Sequence, residues 1–206
     1  MPIVMDPVPA APEVKLRAVN DILAAVHEYP IDVLDTGGTS VAALAEAALD
    51  SQTGRVLTDE GWHFNTEIVT LTPDDDGYVI LADDVLVADT TGTSAYVNVA
   101  MRGGKLYDLD ENTDVFTGTL DVVEVLSFDF GDIPGPIREY ITAVASQWFQ
   151  RRQIGGETAD RFLSDEVTRA RLRARKFDAE TADTNILAGS FARHVTGRTY
   201  SGESFR

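Results

Sequence analysis

The side chains able to do chemistry are few and scattered. The three histidines, His27, His63 and His194, lack the H-x-x-x-H spacing that sets two imidazoles on one helix face, and there is no cysteine. A thiol nucleophile, a disulfide and a thiolate metal site are excluded on that ground. Asp74-Asp75-Asp76-Gly77 begins like a calcium loop, but the twelve-residue pattern and its closing glutamate are missing, so a solvated turn is the plainer reading. Asp83-Asp84 reads as an edge or turn feature. Neither Gly37-Gly38 nor Gly103-Gly104 leads into a phosphate-binding loop, and no serine sits in a G-x-S-x-G elbow. Acid pairs of the kind a glycan hydrolase needs require a fixed separation, which abundance of Asp and Glu does not supply. The expectation is a protein that is not an enzyme, with no catalytic, cofactor-binding or metal-binding residue.

Charge is the more informative property. The chain carries 34 acidic and 17 basic side chains, a formal net charge of −17. Residues 1–130 hold 24 acidic and 5 basic groups, whereas residues 131–206 hold 10 and 12. An acid-rich body joined to a basic last third fits two reading frames, plain solubility with a basic helix, or a subunit with complementary sides. Such a body is a poor non-specific DNA binder, because phosphate contact needs neutralising cations. Around a DNA path it would instead keep the duplex from sticking.

The elements that must carry these residues follow from hydrophobic period. Residues 1–12 contain four prolines and read as an arm. Residues 13–29 read as a helix with two adjacent apolar stripes, Leu16, Val19, Leu23, Val26 and Ala18, Ile22, Ala25, Tyr29, stopped by Pro30. Residues 40–57 read as a second helix, capped by Thr39 or Ser40, with Val41, Leu44, Ala45, Ala48, Leu49 and Val56 inward. The period then changes. Segments 66–71, 78–81, 84–88, 95–101, 105–109 and 119–130 are short and rich in β-branched and aromatic residues, as in an antiparallel sheet. Helical period returns at 134–153, with Ile137, Ile141, Val144 and Trp148 on one face, and at 157–180, with Leu163, Val167, Ala170, Ala174 and Phe177. The expected fold class is α+β: a bundle of about four helices (13–60 and 131–182), an antiparallel β domain (61–130) inserted between helix pairs, and an extended C-terminal tail (183–206).

Several residues suit contact with a neighbour. Arg102-Gly103-Gly104-Lys105 with Tyr107 is either a tight hairpin or a loop shown to a partner, and both can hold. Arg151, Arg152, Arg169 and Arg173 lie among acidic residues, which favours protein contact or a solvent face over a clean phosphate-binding surface. Asp165 and Arg169 are spaced for an i,i+4 pair. Phe191, Tyr200 and Phe205 give the last segment aromatic anchors, against the bland reading of an ordinary terminus. Trp62 and Phe64, where helix gives way to strand, read as a wedge at the domain junction or as ordinary core.

Taken in order, Leu16–Ile31, Gly61-Trp62-His63-Phe64-Asn65, Leu71–Asp74 with Gly77-Tyr78, Arg102–Asp108 with Thr113 and Phe116, and the helix Pro134–Arg152 carry a resemblance. The chain resembles the tail tubular protein A family, the head-to-tail adaptor or gatekeeper of T7-like short-tailed phages. The resemblance covers about residues 15–155 and leaves the final tail outside it. It implies a subunit of a homo-oligomeric, commonly dodecameric ring in the virion's short tail. That ring sits between the portal protein and the tubular nozzle protein, near docked tail fibres. It implies a lumen through which double-stranded DNA passes during genome ejection without sequence-specific binding, and assembly in the host bacterial cytoplasm. A head-completion connector of another tailed phage type shares the helices and the tail, and the sheet of the present chain speaks for the adaptor.

Overall fold

The structure, a computed structural model, describes residues 11–34 and 38–182. It contains four helices, α1 (Ala11–Ala25), α2 (Val41–Glu60), α3 (Gly135–Gln153) and α4 (Glu157–Thr181). Between α2 and α3 lie five strands, β1 (Thr66–Leu71), β2 (Val85–Thr90), β3 (Val99–Arg102), β4 (Lys105–Asp108) and β5 (Leu120–Leu126). The fold is therefore a four-helix bundle with an antiparallel sheet region inserted in the middle of the chain.

The first helix starts and stops earlier than its sequence pattern predicts. Ala11 and Pro12, assigned to an arm by the sequence, form the first turn of α1. Its end is not Pro30 but a double hydrogen bond. Glu28 N–H donates to Leu23 O (3.0 Å) and His27 N–H to Ala24 O (3.1 Å). His27 takes φ +62°, the left-handed cap conformation usually given to glycine. Tyr29, expected in the core, is 89% exposed as a result. The segment that follows is held back on the helix by Asn20, whose Oδ1 accepts from Ile31 N–H (2.8 Å) while its Nδ2 donates to Ile31 O (3.0 Å).

Ser40 caps α2 through Ala43 N–H (3.1 Å), and left-handed Gly61 (φ +57°) closes it. The helix runs three residues beyond the predicted end because Gly54 faces open space, so only its weak propensity, about 1 kcal/mol, opposes continuation. Ala45, Ala48, Leu49, Val56 and Leu57 enter the core. Val41 and Leu44 do not; they lie on the first turn and are exposed.

Helix α3 is the centre of the bundle and packs on each of the other three. A helix with three neighbours buries more than one face. Ile137 and Ile141 are buried as expected, but Tyr140, Ala145 and Phe149 are buried too, while Val144 and Trp148 sit at the margin of the core. Helix α4 packs chiefly on α3 and keeps a narrow seam. Ala170 and Ala174 are buried, with Val167 and Phe177 packed beside them. The two alanines allow close approach to α3.

In the inserted region β5 is central, antiparallel to β1 on one side and β2 on the other, while β3 and β4 form a separate hairpin. Residues 78–81, predicted as a strand, make only single bridges, Tyr78 with Val115 and Ile80 with Lys105. Val79 and Leu81 are nevertheless buried, and with Leu106, Leu120 and Val122 they form a second core distinct from that of the bundle. The segment also pairs briefly with β4, Leu106 N–H donating to Val79 O (3.0 Å) and Leu81 N–H to Gly104 O (2.9 Å), without growing into a full strand. The 95–101 segment likewise yields only its end to β3, since a 3-10 turn at Gly92–Ser94 occupies the approach.

One side chain breaks the pattern of the sheet. Glu124, in the central strand, is 5% exposed and its Oε1 has no hydrogen-bond partner among the described residues. Burial, with Glu67 and Asp84 nearby, pushes its carboxyl above the usual range. A raised folded pKa means the protonated form is favoured, so this group's stabilising contribution is full in acid and is lost as pH rises through the folded value. Glu124→Gln should therefore raise stability at pH 7 by about 1 kcal/mol, with a smaller gain near pH 4, measured by urea unfolding followed by circular dichroism.

Candidate interaction surfaces

The junction between bundle and sheet region is built on Trp62 and Glu60. Trp62 follows the α2 cap and is fully buried. Its Nε1 donates to Val56 O (3.1 Å), its ring meets Tyr140 edge-on at 6.1 Å, and the Arg175 guanidinium lies 4.8 Å from it. Phe64 stacks tilted on Phe128 at 5.7 Å, just before β1 on one side and just after β5 on the other. Both chain crossings between bundle and sheet are thus packed by aromatic rings. Asn65 adds hydrogen bonds to Leu57 O (3.3 Å) and Leu126 O (3.0 Å), joining the end of α2 to the end of β5.

Glu60, the last residue of α2, was not singled out by the sequence. Its carboxylate accepts from Tyr140 Oη (3.1 Å) and pairs with Arg171 Nε (2.9 Å) and with Arg175, which also donates to Glu60 O (2.9 Å). Burial pushes the Glu60 carboxyl up, but the Arg171 hydrogen bond and the charges of Arg175 and Arg171 outweigh it and hold it below the usual range. Burial, together with the Glu60 charge, pushes the Tyr140 hydroxyl up to about 12. Arg171 and Arg175 of α4 thus serve the fold. Asp178 completes the clasp by accepting His63 N–H (2.9 Å).

The residues expected at partner contacts fall into separate places. Arg102, Gly103, Gly104 and Lys105 form the two-residue turn between β3 and β4, with φ +58° and +75° at the glycines, the geometry that matches strand twist. Arg102 stacks on Tyr107 (3.8 Å) and Lys105 on Tyr78 (3.3 Å). These are the two cations of residues 61–130, against 14 acidic side chains, so the hairpin is a basic tip on an acidic body.

Arg151 is engaged by Asp160 (2.5 and 3.2 Å), which ties the end of α3 to the start of α4. Arg152 lies over Trp148 at 4.4 Å, near exposed Leu44. Arg169 does not pair with the Asp165 carboxylate; its Nε donates to the Asp165 main-chain carbonyl (3.2 Å). Arg173 reaches Glu139 at 3.5 Å, with both side chains mostly in solvent, a contact of small net value. Phe191, Tyr200 and Phe205 lie outside the described residues. The structure adds exposed apolar side chains that periodicity placed in no surface: Phe162 (71%) and Leu172 (66%) on α4, and Ile68 (56%) on β1.

Aspartates of the acid-rich sheet region shape turns or lie in solvent. Asp74 Oδ1 accepts the main-chain N–H groups of Asp76 (3.1 Å) and Tyr78 (2.8 Å), and Asp108 Oδ1 those of Asp110 (2.8 Å) and Glu111 (2.9 Å). Each shapes its own turn. Asp83 is exposed on a loop. No group of three or more His, Cys, Asp or Glu side chains among the described residues is arranged to hold a metal ion.

A bundle clasped to a sheet region, with its reactive side chains spent on turns and ion pairs and its apolar side chains partly on the outside, defines a protein that works by contact. The family model described as tail tubular protein matches residues 16–184, from within α1 past the end of α4. The chain is also similar to tail tubular protein A of Klebsiella phage KP34, at 29% identity over 171 residues, which covers 79% of this chain and 89% of that protein. The chain belongs to the tail tubular protein family. It is a structural component of a phage virion tail and not an enzyme.

Proposed function

We propose that the chain is the subunit of an adaptor ring that joins the portal to the tubular nozzle and surrounds the DNA exit path. The observation that carries this reading is the match of the family model through both the bundle and the inserted sheet region. Charge supports the ring. Residues 61–130 carry a net charge of −12 while residues 131–206 carry +2, so one subunit presents electrostatically unlike surfaces, which favours contact between unlike surfaces of neighbouring copies. An acidic wall repels phosphates and lets a duplex slide without specific binding.

In this reading the bundle and the sheet region act as separate domains. The bundle faces the portal, and the basic hairpin at Arg102–Lys105 faces the nozzle. Arg151, Arg152, Arg169, Arg173 and the tail aromatics Phe191, Tyr200 and Phe205 lie at subunit or portal contacts, and twelve copies close the ring. Helix α4 ends at the sheet side of the bundle, so the tail must run back along about 37 Å of helix to reach the portal side. Its 24 residues span about 80 Å when extended, ample for that route.

Sedimentation of the purified chain alone and with purified portal tests this function. A small species alone and a portal-bound, ring-sized species in the mixture are expected. Unchanged sedimentation of both components would remove the reading.

A further inference from the structure

Strand β1 is an edge strand, and among the described residues no strand pairs with its outer side. Unprotected edges of this kind invite pairing with other chains, and natural proteins blunt or cover them. The register places Ile68 opposite Val123 and Val125 opposite Val87, so these four apolar side chains share the sheet face away from Val122 and Leu120. Ile68 and Val87 are exposed, and Val123 and Val125 are half-buried. An open edge and an open apolar face therefore meet at β1.

We infer that residues 183–206 of the same chain cover this edge in the free subunit. The route is set by α4. It runs antiparallel to α3 back toward the sheet region, and Asp178, one turn before its end, holds the N–H of His63 at 2.9 Å. His63 opens the short turn that leads directly into Thr66. The chain thus leaves α4 beside the start of β1. Six residues suffice to pair with β1, and 24 remain.

Charge and composition fit the same place. The sheet region carries 14 acidic and 2 basic groups; residues 183–206 carry Arg193, Arg198 and Arg206 against Asp183 and Glu203. Phe191-Ala192-Arg193-His194-Val195-Thr196 is free of Gly and Pro and as long as β1, with Phe191, Arg193 and Val195 on one side when extended. Added as a strand, it would lay apolar side chains beside Ile68 and arginine near acidic neighbours. Covering the edge keeps free subunits from pairing with one another before assembly, when the tail leaves for its partner.

The absence of cysteine makes the test direct. Ile68→Cys is combined in the full chain with a single cysteine at each position from 191 to 200 in turn, and oxidised mildly. The expected result is an intramolecular disulfide in the monomer, its yield alternating with residue parity, and reduced several-fold by R193E/R198E. A mixture of two chains, one with Ile68→Cys and one with a tail cysteine, should give no dimer. A disulfide at none of the ten positions overturns the inference. So does one that forms only between two chains, which would make a second copy's tail the occupant.

Discussion

Trp62→Ala is expected to cost about 3–5 kcal/mol of stability, the largest loss of any single substitution in the bundle. The side chain is fully buried, so truncation removes the transfer free energy of an indole and leaves a cavity between α2, α3 and α4. It also removes the indole hydrogen bond to Val56 O and the edge-on contact with Tyr140, and takes away the ring beneath Arg175. Trp62→Phe keeps most of the volume and should cost roughly half as much. Urea unfolding read by far-ultraviolet circular dichroism separates the two. A loss of less than 1 kcal/mol for Trp62→Ala would show that the ring does not hold the junction.

Glu60→Gln is the second. The carboxylate side chain is 9% exposed and gathers Arg171, Arg175 and Tyr140, so its loss leaves two cations without their counter-charge. The arginine side chains are about half in solvent, 55% and 42% exposed, and water compensates them in part. The expected cost is about 2 kcal/mol, below that of a fully buried pair. Its pH dependence is distinctive. Glu60 titrates below its ordinary value in the folded chain, so its contribution is complete above the unfolded pKa of about 4.3 and disappears as pH falls through the lower folded value. The stability gap between wild type and Glu60→Gln should be constant from pH 7 to about 5 and close in stronger acid. A gap that widens on acidification would contradict the clasp.

Much of this architecture can be read from local pattern. The three-four-three spacing of Val167, Ala170, Ala174 and Phe177 marks the α4 seam because that helix packs chiefly on α3. Gly103-Gly104 reads as a turn because both residues need positive φ. The failures are equally physical. His27 ends α1 without the glycine that signals such a cap, so only Pro30 was visible as a stop. Val79 and Leu81 plug a core, and their segment pairs with β4 only around one bridge, short of the expected strand. Tyr140 and Phe149 could not be assigned to the core before it was known that α3 touches three helices. Glu60 escaped notice because its partners lie 80, 111 and 115 residues away, beyond any spacing rule. Surfaces were least legible. Arg169, Arg171, Arg173 and Arg175 are alike in sequence, yet Arg171 and Arg175 hold the bundle together while Arg169 and Arg173 face solvent.

Electron microscopy of the purified chain mixed with its phage's portal tests the adaptor reading most directly. The account predicts a closed ring on the tail-side face of the portal, with the bundle against the portal and the sheet region pointing away. A portal that stays bare at saturating subunit, or a chain that decorates only the tail tube, would contradict it.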